Sequence, residues 1–428
     1  MYDTLDSQVG NANIEYSDCF CHGFIQTLER VDSVMFLCDR IGSMTLESSM
    51  ERSAGFLQRR IFVMLRLAYV GGLGLMAGPA GTHLKADGPA KVLRVHDRGS
   101  PGEQKDAFRA SWKQHGAELV PTFDALIGDG QLDGVVVCCG KNGDDVGIIA
   151  DLARLLHQRC KTQPFIMHMS TVSAGFTVAA LAFCKQLGVG YVNFPLTGGP
   201  LGAQLGGGHP NGMLILASGE KQLYERLEPT LKVLGRPKYY GESVSAGAET
   251  KLIGQHLVFN GCTGICTGAA LYAECFANGS MGGAQQAEYF DFLNGGAGGT
   301  RQWDVALSKG VKDNDWGSGF NVRHAVVDAI YAAKLAQEKG LPRLSIQPMI
   351  NITLGFSYLL QQYPDRPVAT HAIARELIAK SAPALDTFMY THGVFAPDVS
   401  ACLTSCIDSL PPEVQQTVLL DVSTQDFG

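Results

Sequence analysis

The sequence predicts an α/β protein, in which a parallel sheet with helices on both faces is followed by an all-helical part. From Leu65 onward, short runs rich in Val, Ile, Leu and aromatics alternate with helical stretches, and Gly, Ser, Asp or Pro closes each run. From Ala246 to about Gln362 the apolar residues recur at helical spacing instead. The 51 glycines favour a fold with many tight turns and close backbone approaches.

The predicted strands are short apolar runs. In chain order they are LRLAYVGG, AKVLRVHDRG, GAELVPT, DGVVVCCG, QPFIMHMS, GVGYVNFPL and GMLILASG. In the helical part, breaks are expected at 294–296 and 340–342, and a further helix is expected from Ala369 to Lys380. We therefore expect an extension over residues 1–60, a sheet domain over 61–243 and a helical domain over 244–428.

Composition and charge exclude several classes of protein. The net charge is -7 and no basic block occurs, which argues against nucleic acid as a partner. The twelve scattered cysteines and the absence of a signal-peptide pattern indicate a reduced, cytoplasmic protein, with a mitochondrial location left open. Cys19, Cys21, His22 and Cys38 fit no zinc-ligand spacing, so no metal is expected.

The stretch from Leu252 to Ala273 contains no Asp, Glu, Lys or Arg. Its amides, threonines and four glycines make it too polar for a lone membrane span, so we expect a helix buried inside the protein and no membrane association. Its apolar, closely packable surface predicts a homodimer or a homotetramer.

A glycine-rich turn follows the first strand. Leu65–Val70 leads into GGLGLMAGPAG, in which Gly72, Gly74 and Ala77 fit the phosphate-binding pattern of a Rossmann-type fold. The first glycine would make the turn, and the second would let the backbone approach a pyrophosphate. We expect the whole turn to bind a dinucleotide, through Gly72, Leu73, Gly74, Leu75 and Met76.

The second strand ends at Asp97, where a carboxylate would accept hydrogen bonds from the adenosine ribose. An acid here favours NAD over NADP, because it repels a 2′-phosphate. Arg98 follows directly and could face such a phosphate instead, and the alternative to both is an ordinary turn with a surface Asp-Arg pair.

A second glycine cluster, PLTGGPLGAQLGGG at 195–208, also follows a strand, and such backbone can bind a carboxylate. Ser170 and Thr171 end another strand, where they could bind a ligand, cap a helix, or do both. Ligands of an open parallel sheet bind at the carboxyl ends of its strands, so both clusters are expected at one crevice.

The stretches HMSTVS, PLTGGPLGAQLGG and GAETKLIGQ follow the dinucleotide turn in this order, and together they resemble the β-hydroxyacid dehydrogenase family. The resemblance spans about residues 65–360. It implies that Ser170 and the backbone around Thr197, Gly198 and Gly199 bind the substrate carboxylate, and that Lys251 is catalytic. Gln255 is expected to bind the substrate and Thr171 to bind the cofactor.

The sequence departs from that family at four positions. Thr197 stands where the family usually has Ser, Gln255 where it has Asn, and His168 where it has Asp. A family lysine near the cofactor is replaced by Val327, although Asp328 beside it is kept. Thr197 keeps a hydroxyl group and Gln255 keeps an amide group, but the distance that each group can span to a ligand changes.

Lys251 is the only Lys or Arg between Lys238 and Arg301. Burial and the positive end of a helix would both lower its pKa towards a value useful for general acid/base catalysis. A solvent-exposed lysine without a role is the alternative. His256, which lies about 100° further round the helix than Gln255, is a second candidate acid/base.

These features predict an NAD(P)-dependent oxidoreductase that interconverts a small β-hydroxyacid and its semialdehyde or keto acid. Two alternatives stay open. An imine reductase shares this architecture but usually lacks the lysine, and a catalytically silent dinucleotide-binding module would explain Gln255 and Val327.

Overall fold

The computed structural model describes residues 64–85, 87–99 and 102–428. The expected extension over residues 1–60, with Cys19, Cys21, His22 and Cys38, lies outside the described residues. Along the part of the chain that is described, no helix is long and apolar enough to cross a membrane.

The first half is built on a six-stranded parallel sheet. Its strand order is β3-β2-β1-β4-β5-β6, and each neighbouring pair is parallel. The strands are β1 Leu65–Val70, β2 Ala90–His96, β3 Glu118–Val120, β4 Gly134–Val137, β5 Phe165–His168 and β6 Gly190–Asn193. The predicted parallel sheet is confirmed, with the strands placed at the apolar runs that predicted them.

The run GMLILASG does not join this sheet. It forms β8 (Leu214–Ala217), which pairs antiparallel with β7 (Leu196–Thr197) and parallel with β9 (Arg236–Tyr239). The prediction of one sheet containing this strand was therefore wrong, and a small second sheet carries it.

Helices cover both faces of the six-stranded sheet. They are α1 Ala77–Gly81, α2 Glu103–Gln114, α3 Phe123–Ile127, α4 Asn142–Arg159, α5 Ala174–Gln186, α6 Gly199–Leu205 and α7 Lys221–Leu234. Alternate residues of β1 enter different cores: Leu67 and Tyr69 pack on one side, and Ala68 and Val70 on the other. Burial on both faces explains why these strands are continuous apolar runs.

The second half is helical, as predicted. Its elements are α8 Ala246–Phe276, α9 Ala284–Leu293, a π-helical turn Trp303–Leu307, α10 Ser308–Asp313, α11 Val322–Glu338, α12 Arg343–Gln362, a 3₁₀ turn Thr370–Arg375, α13 Ala382–Thr391, α14 Val399–Asp408, α15 Pro412–Gln415 and a 3₁₀ turn Thr424–Phe427. Helix α11 is buried along nearly its whole length, with α8 and α12 packed against it.

The helix expected from Ala369 to Lys380 was wrong, because only the 3₁₀ turn Thr370–Arg375 forms there. Backbone hydrogen bonds from Ala369 N to Trp316 O and from Thr370 N to Phe320 O, both 2.9 Å, bind this segment to the chain before α11. Those tertiary bonds replace the start of a regular helix.

The last residues of the chain return to the sheet. Phe427 packs on Phe176 and Phe183, with ring centroids 5.5 and 5.3 Å apart. Asn142 Nδ2 donates to Leu419 O at 2.6 Å, and Gly143 N donates to Thr417 O at 3.1 Å. The segment 417–428 therefore connects the helical half to the start of α4, and the boundary near residue 243 stays a prediction.

Candidate active site

The carboxyl ends of β1 and β4 lie side by side in the middle of the sheet. The chain leaves β1 towards β2 on one side, and it leaves β4 towards β5 on the other. Such a change of direction opens a crevice where doubly wound sheets bind ligands. The ends of β1, β4 and β5, with the loops that follow them, therefore build the site.

Gly72 lies inside the tight turn after β1, which a hydrogen bond from Gly74 N to Gly71 O closes at 2.9 Å, and the residue that needs positive φ is Gly71. Its φ is +82°, and a Cβ at this position would lie 2.3 Å from Cys138 O of the β4 end. Gly72 is required for packing instead, because a Cβ there would lie 2.5 Å from Val95 Cγ1. Gly72 O also accepts a hydrogen bond from Trp112 Nε1 at 2.8 Å.

The rest of the turn leads directly into α1. Leu75 is exposed, Met76 is half-buried, and Ala77 is buried at the start of α1. Because α1 has only five residues, its dipole is weak. The backbone of the turn at Gly72–Met76, more than a long helix, is therefore available to a pyrophosphate.

Asp97 follows β2 and is joined to the same turn. Its Oδ2 accepts a hydrogen bond from Leu73 N at 3.1 Å, and Lys105 Nζ lies 3.8 Å from its Oδ1. Arg98 points elsewhere, to Asp144 Oδ1 at 3.4 Å, and its side chain is 74% exposed. The carboxylate is therefore fixed at the turn, while the guanidinium is held by a neighbouring acid.

Ser170 is buried behind the end of β5. Its Oγ accepts a hydrogen bond from Cys139 N at 3.2 Å, and its carbonyl accepts one from Asn193 Nδ2 at 3.2 Å. The helix-capping alternative for Ser170 and Thr171 was wrong, because Ser173 caps α5 by accepting from Phe176 N. Ser170 therefore does not cap α5, and it lies at the carboxyl end of the sheet.

The second glycine cluster, residues 195–208, contains β7 and α6. Thr197 ends β7 and is half-buried, and Gly198 and Gly199 follow with φ of +127° and +66°. Two consecutive residues with positive φ need glycine. A Cβ on Gly198 would also lie 3.1 Å from Met213 Cα, so this loop packs closely on the second sheet.

Helix α8 begins against the ends of β6 and β8. Gly247 N donates to Ser218 Oγ at 2.8 Å, and a Cβ on Gly247 would lie 2.4 Å from Leu216 O and 3.1 Å from Asn193 O. Asn193 is the residue that binds the Ser170 carbonyl. Because Lys251 lies four residues after Gly247, it shares the helix face that rests on this sheet edge.

Lys251 is 8% exposed. Among the described residues, its ammonium has no hydrogen-bond or ion-pair partner. Burial lowers the pKa of Lys251 to about 8; Asp328 raises it and Lys141 lowers it, both by smaller amounts. Lys251 lies in the second turn of α8, beyond the short reach of the helix dipole, so desolvation rather than the helix start is the main cause.

Asp328 of α11 lies beside Lys251 and has two partners. Gln255 Nε2 donates to its Oδ2, and Lys141 Nζ forms a buried ion pair with its Oδ1. Sequence reasoning missed Lys141, which directly follows the β4 run DGVVVCCG. The sequence signal that points to Lys141 is its position directly after a central strand, at the carboxyl end of the sheet.

Two further titratable side chains lie near the site. His324 lies one turn before Asp328 on α11 and has an exposed side chain; desolvation by the groups around it, followed by the nearby Lys141 charge, lowers its pKa to about 4. His168, beneath Ser170, lies 2.8 Å from both Asp145 Oδ2 and Tyr191 Oη. Asp145 thus supplies a carboxylate next to the position where the resembled family has its aspartate.

His256 is half-buried, and its Nε2 lies 3.1 Å from Ala332 O of α11. No hydrogen bond connects it to Lys251, Gln255 or Asp328 within the described part of the chain. For the ranges that the structure describes, no group of three His, Cys, Asp or Glu side chains could hold a metal ion.

A family model for the NAD binding domain of 6-phosphogluconate dehydrogenase matches residues 67–247. A 2-(hydroxymethyl)glutarate dehydrogenase of Eubacterium barkeri is 24% identical over 183 residues, which are 43% of this chain and 57% of that relative. The chain thus spans little more than half of this relative's length.

Two comparisons reach into both halves. An uncharacterized oxidoreductase of Bacillus subtilis is 25% identical over 283 residues, covering 64% of this chain and 88% of the relative. The crystal structure of a 3-hydroxyisobutyrate dehydrogenase from Salmonella typhimurium matches with a TM-score of 0.59 at 20% identity, covering 73% of this chain and 99% of that chain. At this identity the structural likeness shows the two-domain fold.

Proposed function

We propose that this protein interconverts a small β-hydroxyacid and its semialdehyde or keto acid. The chain is a member of the β-hydroxyacid dehydrogenase family, and its nucleotide-binding domain is of the 6-phosphogluconate dehydrogenase type. The carrying observation is Lys251, a buried amine without a partner in the described chain, with a pKa of about 8. A group with that pKa can both accept and donate a proton near neutral pH.

NAD(P) supplies the hydride chemistry when bound, and the residues present fit it. The turn at Gly71–Met76 offers backbone close to the switch point, and Asp97 is held where the adenosine ribose of a dinucleotide would be bound. NAD is the proposed cofactor, because Asp97 carries a negative charge and Arg98 is paired with Asp144.

In the proposed oxidation, neutral Lys251 accepts the proton of the substrate hydroxyl. In the reduction, its ammonium polarises the carbonyl and returns the proton. Ser170, Thr197 and the glycine backbone at Gly198–Gly199 would bind the substrate carboxylate, and the Gln255 amide would fix its orientation. Burial of Lys251 excludes the water that would otherwise hold the amine protonated.

The test is a spectrophotometric screen of small β-hydroxyacids and their aldehydes with NAD and with NADP. The screen covers several acids of three to six carbons. It contains 3-hydroxyisobutyrate and 2-(hydroxymethyl)glutarate, because similar proteins are named for these two acids. We expect turnover of at least one acid, and loss of that turnover in the matching methyl ester, which removes the carboxylate. Cofactor binding without turnover of any acid would contradict the proposal.

A further inference from the structure

Lys141 reaches from the sheet half into the helical half. It precedes α4, directly after the loop that leaves β4, and its ammonium pairs with Asp328 Oδ1 on α11. The two side chains are 9% and 3% exposed. Burying such a pair carries a large desolvation cost for each ion, and apolar residues often replace it without loss of stability. Stability alone therefore does not account for Lys141.

The two residues after Lys141 are fixed by three separate parts of the chain. Asn142 N donates to Tyr331 Oη at 3.2 Å, Asn142 Nδ2 donates to Ser173 Oγ at 2.7 Å, and Gly143 N donates to Thr417 O at 3.1 Å. These bonds come from α11, the start of α5 and the returning C-terminal segment. Because the backbone is held in this way, the direction of the Lys141 side chain is built into the fold.

Asp328 connects Lys141 to the proposed catalytic helix. One carboxylate oxygen accepts from Lys141 and the other accepts from Gln255, which lies four residues after Lys251 on α8. Lys251 is left without a partner in the described chain, although Asp328 is close enough to affect it electrostatically. Without Lys141, the buried carboxylate of Asp328 would be free to pair with Lys251.

We propose that Lys141 is a positioning residue of this site, which holds Asp328 away from Lys251 so that Lys251 stays an unpaired, readily deprotonated amine. The inference rests on the function proposed above. It gives a role to Lys141, to which the family resemblance assigns none. Val327 occupies the position of the family lysine, and Lys141 brings an ammonium to the neighbouring Asp328 from a different part of the chain.

Few other charges face Lys251. Asp328 and Lys141 act on it directly, and Glu249 of its own helix is paired with Lys339 at 2.9 Å. His324 of α11, which faces Lys141, Asp328 and Asp144, has a pKa of about 4 and stays neutral across the range in which Lys251 titrates. A change in the titration of Lys251 can therefore be assigned to the Lys141–Asp328 pair.

The test titrates Lys251 without cofactor or substrate. The protein is labelled with [¹³C]lysine, the Cε resonance of Lys251 is identified by its loss in Lys251→Met, and the shift is followed from about pH 6 to about pH 11. Removing the Lys141 charge and freeing Asp328 both favour the Lys251 ammonium. Lys141→Met should therefore move the midpoint up by about one pH unit or more, while Lys141→Arg should leave it near the wild-type value.

The double variant Lys141→Met/Asp328→Asn separates this effect from loss of structure. With the carboxylate also gone, the midpoint should return to the wild-type value or below it. At neutral pH, oxidation by Lys141→Met should fall about tenfold and recover as the pH is raised past the new midpoint. An unchanged midpoint in Lys141→Met, or a raised midpoint in the double variant, would overturn the inference. If the midpoints move as expected and no acid is turned over, the proposed function fails and this inference stands.

Discussion

Lys251 shows how one side chain takes its chemistry from its surroundings. Its ammonium has lost water on burial, and the opposing attraction of Asp328 is weakened because that carboxylate already pairs with Lys141. The sequence indicated a buried, isolated lysine before an apolar helix. It could not show the contact between Lys141 and Asp328, because these positions are 187 residues apart and no local pattern connects them.

Activity should follow the protonation of Lys251. Oxidation needs the neutral amine, so kcat/KM for the alcohol should rise with pH and level off above about 8. Reduction needs the ammonium, so kcat/KM for the aldehyde should be constant below about 8 and fall above it. Initial rates in both directions across pH measure this, and a rise continuing to the pKa of free lysine, about 10.4, would contradict it.

Asp97 should set the choice of cofactor. Asp97→Ala removes the acceptor for Leu73 N and for the ribose hydroxyls, so NAD affinity should fall by about tenfold, the value of a hydrogen bond to a charged group. NADP affinity should change less, because repulsion of its phosphate is lost as well. Fluorescence titration with both cofactors measures this, and a wild-type preference for NADP would show that Arg98 and Lys105 decide instead.

At the scale of elements, apolar pattern and turn residues predicted most of the sheet. The central strands are short runs of mostly apolar residues, such as GVVV in β4 and FIM in β5, and this pattern can be recognised without knowing the neighbouring strands. The second sheet was missed because β7 has two residues and β9 has four, one of them Pro237. Strands this short are defined by their pairing partners more than by their own composition.

The glycine turn lies where the sequence predicted it, but the residue with positive φ directly precedes the predicted glycine pattern. Both Gly71 and Gly72 fit a tight turn in sequence, and only the backbone angles and the approach of Cys138 O identify Gly71 as the residue that needs positive φ. Gly71→Ala should therefore destabilise the fold by at least about 1–2 kcal/mol and abolish cofactor binding.

Gly147 provides the matched control. It lies inside α4, and a Cβ there would meet nothing within 4 Å. Gly147→Ala should leave cofactor binding unchanged and stabilise the protein by about 0.5–1 kcal/mol. Thermal unfolding and cofactor titration of both variants decide the matter; wild-type cofactor affinity in Gly71→Ala would show that the turn does not bind the dinucleotide.

For the whole molecule, the links between the sheet and the helices include the docking of Gly247, the Lys141–Asp328 pair and the returning segment 417–428. The sequence predicted two halves and the long helix α8. It gave no sign of the returning segment, since Phe427 has no strand or helix pattern around it. Its place is set by contacts with Phe176 and Phe183.

At the scale of the whole molecule, we predict that the protein assembles into an oligomer. Large apolar side chains on one part of the helical half are exposed, namely Ile253, Leu257, Leu271, Phe276 and Phe292. Gly254 and Gly264 of α8 have open space at the Cβ position, which would let a second helix approach closely. We expect a homodimer or a homotetramer formed through this surface.

Replacing Leu257, which is 75% exposed, with Lys should dissociate the assembly, because a charge would be buried at the interface. Val178→Lys, at a 55% exposed site on α5, is the control and should leave the mass unchanged. Light scattering at micromolar concentration measures both. A monomeric wild-type protein would contradict the expected interface.

Replacement of Lys251 with Met tests the central claim most directly, because Met keeps the apolar stem and removes the amine. Turnover of the substrate found in the screen should fall by roughly 10²–10⁴, the usual contribution of a positioned proton-transfer group. Cofactor affinity should barely change, and thermal stability should hold or rise, because no ammonium has to be desolvated. Lys238→Met, at an exposed lysine of β9, should behave as wild type. A Lys251→Met protein that binds cofactor and turns over at the wild-type rate would contradict the claim and direct attention to His256.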